Sequence, residues 1–131
     1  MATIFTRIIQ GEIPCYKVAE NKDFIAFLDV SPLKKGHVLV VPKLEIDYIF
    51  DMEDQLLADL HIFSKKVAKA LKKTIPCKRI GTAVIGLEVP HTHIHLVPMD
   101  TIADLDFTKP RAQFTKEEFS TLADAIAANL D

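Results

Sequence analysis

His91-Thr92-His93-Ile94-His95-Leu96 contains three of the five histidines of this chain, at alternate positions. Alternate side chains of a β-strand point to the same face, so a strand here aligns three imidazoles about 6–7 Å apart. Thr92, Ile94 and Leu96 then face a core. Because burying three imidazoles without partners is costly, we interpret the triplet as a functional site rather than as a structural one.

Two kinds of chemistry suit this arrangement. His-x-His on a strand, with His37 as a distant third ligand, is one way to build a zinc site. Glu88 and Asp100 flank the triplet rather than enter it, so no carboxylate within it orients such ligands. Alternatively, a neutral imidazole attacks phosphorus and leaves again when water arrives. The spacing of the histidines does not choose between the two.

Apolar and alternating runs on both sides of the triplet predict strands. Together with the triplet strand, they cover residues 15–20, 24–29, 37–41, 78–85 and 93–97. The connections between the early strands are short, which favours antiparallel pairing. The sequence therefore predicts a largely antiparallel sheet.

Two helices are predicted as well. The first covers residues 52 to about 73, with apolar side chains at three- and four-residue steps and Asp51 as its N-cap. The second covers residues 116 to about 130 and follows a capping box made by Thr115 and Glu118. The predicted fold class is α+β: an antiparallel sheet with one long central helix and a C-terminal helix.

Composition excludes several classes of protein. The 131 residues, 49% hydrophobic and 26% charged, predict one globular domain over residues 1–131. The net charge of −2 lacks the basic excess of a nucleic-acid binder, so an anionic ligand needs a local site. Cys15 and Cys77 are too few for a disulfide framework. We find neither a signal core nor an apolar run of roughly 20 residues, and therefore expect a cytoplasmic protein without membrane contact.

The triplet and several other blocks resemble the histidine triad (HIT) family. Residues 91–97 are similar to its signature of histidines alternating with apolar residues, in which Thr92 is the one loose fit. The other similar blocks are Ile4-Phe5, Ile8-Ile9-Gln10-Gly11-Glu12-Ile13-Pro14, Ala26-Phe27-Leu28-Asp29-Val30-Ser31-Pro32 and Gly36-His37-Val38-Leu39-Val40-Val41-Pro42-Lys43. With the C-terminal helix, they cover nearly the whole chain in the family's order.

This resemblance implies a homodimer that binds a purine nucleotide and hydrolyses a bond at the α-phosphorus. His93 is then the nucleophile, which forms a nucleotidyl-histidine intermediate while its other ring nitrogen donates to a backbone carbonyl. By the same resemblance, His95 contacts the phosphate and assists departure of the leaving group. His91 and His37 orient these rings and stabilise the phosphate charge.

The resemblance also implies a nucleoside site. Asp29 matches the family's ribose-binding acid, since a carboxylate accepts hydrogen bonds from both ribose hydroxyls. A cap of the turn that follows is an equally good interpretation of Asp29. Phe5, Ile8, Phe27 and Val30 match positions that sandwich the base, and each is equally readable as a core residue.

The chain departs from the family pattern in three places, one of which is Ile80, where the family has an asparagine. Leu87 and Glu88 occupy nucleotide-binding positions where the family commonly has a glutamine and a hydroxyl that contact phosphate; leucine forms no hydrogen bond and glutamate repels phosphate. Members with a structural zinc carry N-terminal cysteines and a further histidine. Residues 5–8 contain no cysteine and Glu45 stands at the histidine position, so we predict no metal and no cofactor.

The predicted function is hydrolysis of a nucleoside phosphoramidate, or a related nucleotide conjugate, through a covalent intermediate on His93. A dinucleoside polyphosphate hydrolase is the closest alternative. Leu87 and Glu88 motivate a second one, a nucleotide- or partner-binding module with little turnover. A metal-binding protein that uses the four histidines is the third.

Overall fold

An antiparallel sheet organises the part of the chain that the computed structural model describes, residues 2–131. In chain order the elements are α1 (Ile4–Ile9), β1 (Lys17–Glu20), β2 (Phe24–Leu28), β3 (Val38–Pro42), α2 (Asp54–Thr74), β4 (Arg79–Ala83), β5 (Ile94–Met99) and α3 (Lys116–Ala128). The strand order is β1-β2-β3-β5-β4 and every neighbouring pair is antiparallel. The predicted α+β class, with a long central and a C-terminal helix, is confirmed.

The two faces of the sheet bury different side chains. One face packs against α2 and α3 and includes Val40 and Leu96. The opposite face packs against Phe5 of α1 and includes Phe27 and Leu39. His95 is the ladder partner of Leu39 and therefore projects on the α1 side.

The long helix begins slightly later than the sequence predicts. Glu53 rather than Asp51 is its N-cap, because the Glu53 carboxylate accepts from the backbone N–H groups of Gln55 and Leu56 at 3.1 Å each. Asp51 instead ends a short 3₁₀ turn, Ile49–Asp51. The prediction of Asp51 as the cap is therefore wrong.

The C-terminal helix follows the predicted capping box. The Thr115 hydroxyl accepts from the backbone N–H of Glu118 at 3.1 Å, and the Glu118 carboxylate accepts from the backbone N–H of Thr115 at 2.9 Å. The helix ends at Ala128 rather than at Leu130. The short helix α1 was not predicted; its N-cap is Thr3, whose hydroxyl accepts from the N–H of Thr6.

The triplet forms a strand only in part. β5 begins at Ile94, so His91 and His93 lie in the segment that precedes it. Alternation holds within β5, because Ile94 and Leu96 pack into the core beneath α2 and α3, on the face opposite His95. The rings of His93 and His95 have centroids 4.9 Å apart, which is closer than a regular strand would bring them.

The turn before β3 needs a glycine. Gly36 has a φ of +91°, and a Cβ there would stand 3.0 Å from Ile75 and 3.1 Å from Leu71. This turn delivers His37 to the interior, where its side chain is 1% exposed. Within residues 2–131, no helix has both the length and the apolar character that a membrane crossing requires.

Candidate active site

A cavity of about 570 Å³ opens on the α1 side of the sheet, which is a volume typical of small-molecule sites. His93 and His95 line it, whereas His91 and His37 do not. The residues predicted to bind the nucleotide all line it as well: Phe5, Ile8, Phe27, Asp29, Val30, Leu87 and Glu88. The structure thus brings together side chains that are distant in the sequence.

The orientation of His93 is set by the backbone of His91. Nδ1 of His93 lies 2.7 Å from the carbonyl oxygen of His91, and a carbonyl only accepts, so Nδ1 carries the hydrogen. In the neutral ring, Nε2 therefore keeps a free lone pair. Phe5 packs edge-on against this ring, with centroids 4.9 Å apart. These contacts leave His93 with one unprotonated nitrogen in a residue that lines the cavity.

A second chain of hydrogen bonds sets the hydrogen on His95. The backbone N–H of Leu33 donates to Nδ1 of His37 at 3.0 Å, so the hydrogen of neutral His37 is on Nε2. That Nε2–H donates to Nδ1 of His95 at 2.9 Å. Nδ1 of His95 is consequently an acceptor, and its own hydrogen is on Nε2. His95 is thus a hydrogen-bond donor at the cavity.

His91 is fixed at both of its ring nitrogens. Its Nε2–H donates to the carbonyl oxygen of Pro42 at 2.8 Å, and its Nδ1 accepts from the Thr3 hydroxyl, also at 2.8 Å. Glu45 holds the same end of α1, because its carboxylate accepts from the Thr3 N–H at 3.0 Å and from the Thr6 hydroxyl at 2.6 Å. The ring is fully buried and does not line the cavity.

Burial keeps His37 and His95 neutral. It lowers the pKa of His37 to about 3 and the pKa of His95 to about 4, and it is the largest cause of both shifts. Positive charge on neighbouring rings and on Arg111 lowers both further. Burial also lowers the pKa of His91 and raises that of Asp29. At neutral pH, His37 and His95 are therefore uncharged hydrogen-bonding groups.

Asp29 caps the turn that follows β2 and also lines the cavity. One carboxylate oxygen accepts from the backbone N–H of Ser31 at 2.8 Å, which caps the turn after β2. The other carboxylate oxygen lies 3.7 Å from Nε2 of His37. One oxygen thus caps the turn while Asp29 still lines the cavity.

Three side chains lie close enough together to surround a metal ion. Ligand atoms of Asp29, His37 and His95 are all within 4.8 Å of one another. Their hydrogen bonds do not fit a metal, because Nε2 of His37 carries a hydrogen that it donates to His95. His91 has no free nitrogen either. Neither the four histidines nor this group offers a set of bare ligand atoms.

Two residues at the cavity had not been singled out from the sequence. The Phe107 ring packs edge-on against His95, with centroids 4.8 Å apart, and the Arg111 guanidinium lies 5.6 Å from the centroid of Phe107. Both line the cavity. They lie in an irregular segment before α3 that contains no recognisable motif, so only the fold reveals them.

A comparison with protein-family models matches residues 10–102 to the HIT domain. The chain belongs to the HIT family. The HIT match covers the triplet, His37 and Asp29, but it leaves out α1 and Arg111.

Other HIT proteins resemble the chain closely. The adenosine 5'-monophosphoramidase of Saccharomyces cerevisiae is 39% identical over 98 residues, which are 74% of this chain and 62% of that protein. The adenosine 5'-monophosphoramidase of Schizosaccharomyces pombe is 32% identical over 132 residues, 99% of each chain. The crystal structure of a Hit-like protein from Bartonella henselae, described as involved in cell-cycle regulation, has a TM-score of 0.85 at 29% identity and covers 98% of this chain and 96% of that one.

Proposed function

We propose that this HIT protein hydrolyses a purine nucleoside phosphoramidate, or a related nucleotide conjugate, at its α-phosphorus. The observation that carries the proposal is the pair of hydrogen-bond chains at the cavity. They leave a bare Nε2 on His93 and an N–H on His95, whose ring centroid is 4.9 Å away. A nucleophile and a hydrogen-bond donor to the leaving group are the two groups that favour this displacement.

In the first step, Nε2 of His93 attacks phosphorus and the bond from phosphorus to the leaving nitrogen breaks. His95 is neutral, so its Nε2–H donates a hydrogen bond to the leaving nitrogen, and the proton that this nitrogen takes up comes from the solvent. In the second step, water attacks phosphorus, the bond to His93 breaks, and a proton of the water returns to the solvent. The products are the nucleoside monophosphate and the free amine.

The remaining cavity residues suit a nucleoside. Phe5 and Phe27 pack edge-on with centroids 5.8 Å apart, and with Ile8 and Val30 they offer apolar walls for a purine. Asp29 offers an acceptor for ribose hydroxyls. The relatives named adenosine 5'-monophosphoramidase support the same substrate class and a general hydrolase activity.

We further propose a single HIT-like domain over residues 1–131 that acts as a cytoplasmic homodimer. β4 is an edge strand of the sheet, and the exposed Val84 and Ile85 follow it. An unpaired strand edge beside exposed apolar residues is a surface on which a second copy can pair. Cys15 and Cys77 are free thiols, which suits a reducing compartment.

Mass spectrometry of the protein mixed briefly with adenosine 5'-phosphoramidate tests the proposal, with AMP release measured in parallel. We expect a nucleotidyl adduct and turnover, both absent from the His93→Ala variant. A His61→Ala variant is the matched control, because His61 is an exposed histidine of α2. Turnover that persists in His93→Ala would refute the assigned nucleophile.

One observation favours a second candidate, a nucleotide-binding module with little turnover. Leu87 is 88% exposed at the cavity and offers no hydrogen bond, and Glu88 adds negative charge beside it. Calorimetric binding of AMP without adduct or release would favour this module. Faster turnover of a diadenosine polyphosphate than of the phosphoramidate would instead identify a dinucleoside polyphosphate hydrolase.

A further inference from the structure

Arg111 is the one lysine or arginine among the described residues that line the cavity. The chain as a whole is slightly acidic, and the cavity also contains the carboxylates of Asp29 and Glu88. A phosphate that enters this cavity therefore depends on a local positive charge. Neutral His37 and His95 do not supply it.

The guanidinium of Arg111 is held at the cavity by two contacts. One of its N–H groups donates to the carbonyl oxygen of Ser31 at 2.9 Å. Its central carbon lies 5.6 Å from the centroid of the Phe107 ring, within the range of a cation–π contact. An arginine has five N–H donors, so most of them remain for a ligand.

Arg111 also influences His37 and His95. Phe107 links it to His95, because the two aromatic rings pack edge-on with centroids 4.8 Å apart. Its charge contributes to the lowered pKa of both His37 and His95, although burial is the larger cause. The guanidinium is therefore near enough to the histidines to act on a charge that forms there.

We propose that Arg111 binds the phosphate of the nucleotide and supplies the charge compensation that Leu87 and Glu88 do not. This inference rests on the proposed function, because it assigns the phosphate-binding cation of that same site. A guanidinium pairs with two phosphate oxygens at once, which favours an arginine over a lysine here.

Calorimetry with AMP and with adenosine separates a phosphate contact from support of the cavity wall. We expect Arg111→Gln to weaken AMP binding by about tenfold or more and adenosine binding by less than about twofold. Arg111→Lys, which keeps the charge, should recover part of the loss. Lys109→Gln is the matched control, because Lys109 is an exposed cation of the same segment that does not line the cavity.

Equal loss of AMP and adenosine binding in Arg111→Gln would overturn the inference, because Arg111 would then only support the wall. Unchanged AMP binding in that variant would overturn it too. In both cases, AMP binding by the wild-type protein leaves the proposed function standing. A wild-type protein that binds neither ligand would overturn the proposed function and the inference together.

Discussion

The hydroxyl of Thr3 donates a hydrogen bond of 2.8 Å to Nδ1 of His91, and so joins the N-cap of α1 to the first histidine of the triplet. The carbonyl of His91 in turn accepts from Nδ1 of His93. The orientation of the proposed nucleophile therefore depends on a short helix at the other end of the sequence.

Replacing Thr3 with valine should destabilise the fold. Valine keeps the shape but leaves Nδ1 of His91 buried without a donor, a defect that typically costs about 1–3 kcal/mol. It also removes the N-cap of α1, worth about 1 kcal/mol. Urea unfolding at neutral pH measures the loss. Thr3→Ser keeps the hydroxyl and should stay close to the wild type; equal stability of the two variants would contradict the assigned hydrogen bond.

Replacing Glu45 with glutamine should produce a stability difference that depends on pH. The backbone N–H of Thr3 and the hydroxyl of Thr6 lower the pKa of Glu45 from its usual 4.5. Its charged form therefore stabilises the folded state above pH 4.5, and this contribution disappears as the pH falls through the lower folded-state pKa. We expect the wild type to be more stable than Glu45→Gln at about pH 6 and the two unfolding free energies to converge in acid. If the unfolding free energies of the two proteins differed by the same amount at every pH, the linkage would be refuted.

Two substitutions of His37 should differ in activity. The amide nitrogen of glutamine reaches about as far as Nε2 of histidine and can donate to Nδ1 of His95, whereas asparagine is too short. We therefore expect His37→Gln to retain several times more kcat than His37→Asn, with similar KM values. Steady-state kinetics on adenosine 5'-phosphoramidate measure the difference. A higher kcat in His37→Asn than in His37→Gln would show that activity does not depend on the hydrogen-bond donor to His95.

The buried histidines should make the fold sensitive to mild acid. His37 and His95 have folded-state pKa values of about 3 and about 4, against 6.5 in the unfolded chain. Below pH 6.5 the unfolded chain binds more protons, so stability falls with pH, by up to about 1.4 kcal/mol per pH unit for each group. Denaturation at pH 7, 6 and 5 tests this decline. The unfolding free energy of His37→Gln should fall less steeply with pH. A wild-type unfolding free energy that does not change between pH 7 and pH 5 would contradict the neutral state of the two buried rings.

The double variant Leu87→Gln with Glu88→Ser should raise kcat on the phosphoramidate. Both side chains line the cavity, and the change adds neutral hydrogen-bonding groups while it removes a negative charge. One phosphate hydrogen bond is typically worth about 1–3 kcal/mol, so a gain of about tenfold or more is expected. An unchanged or lower kcat would show that the native pair serves this protein's own substrate.

The sequence predicted the parts of the structure that have strong local signals. The stripe of Leu60, Val67 and Leu71 predicted the long helix because burial repeats at the helical period. Its start was misplaced because Asp51 and Glu53 are both acidic side chains next to the first turn, and only the backbone decides which one caps it. The six-residue α1 gave no comparable periodic signal.

The sequence predicted many of the side chains that line the cavity, and the resemblance implied the backbone acceptor for His93, but the other hydrogen bonds were not predicted. The triplet pointed to His93 and His95, which line the cavity, and the family resemblance pointed to Asp29 and to the apolar walls. The hydrogen positions follow from the backbone of Leu33 and from the carbonyl of Pro42, which no side-chain pattern encodes. Arg111 was missed because a lone arginine in an irregular segment has no partner in the sequence that identifies it.

The attachment of α1 has a consequence for how the protein opens. This helix has six residues, and Thr3, Phe5 and Glu45 make contacts that tie it to the triplet and the sheet. If it detached, one event would remove a wall of the cavity and the donor to His91 together. Hydrogen exchange of the α1 amides should therefore report the fraction of molecules that are unable to react, because local melting and loss of competence are the same transition.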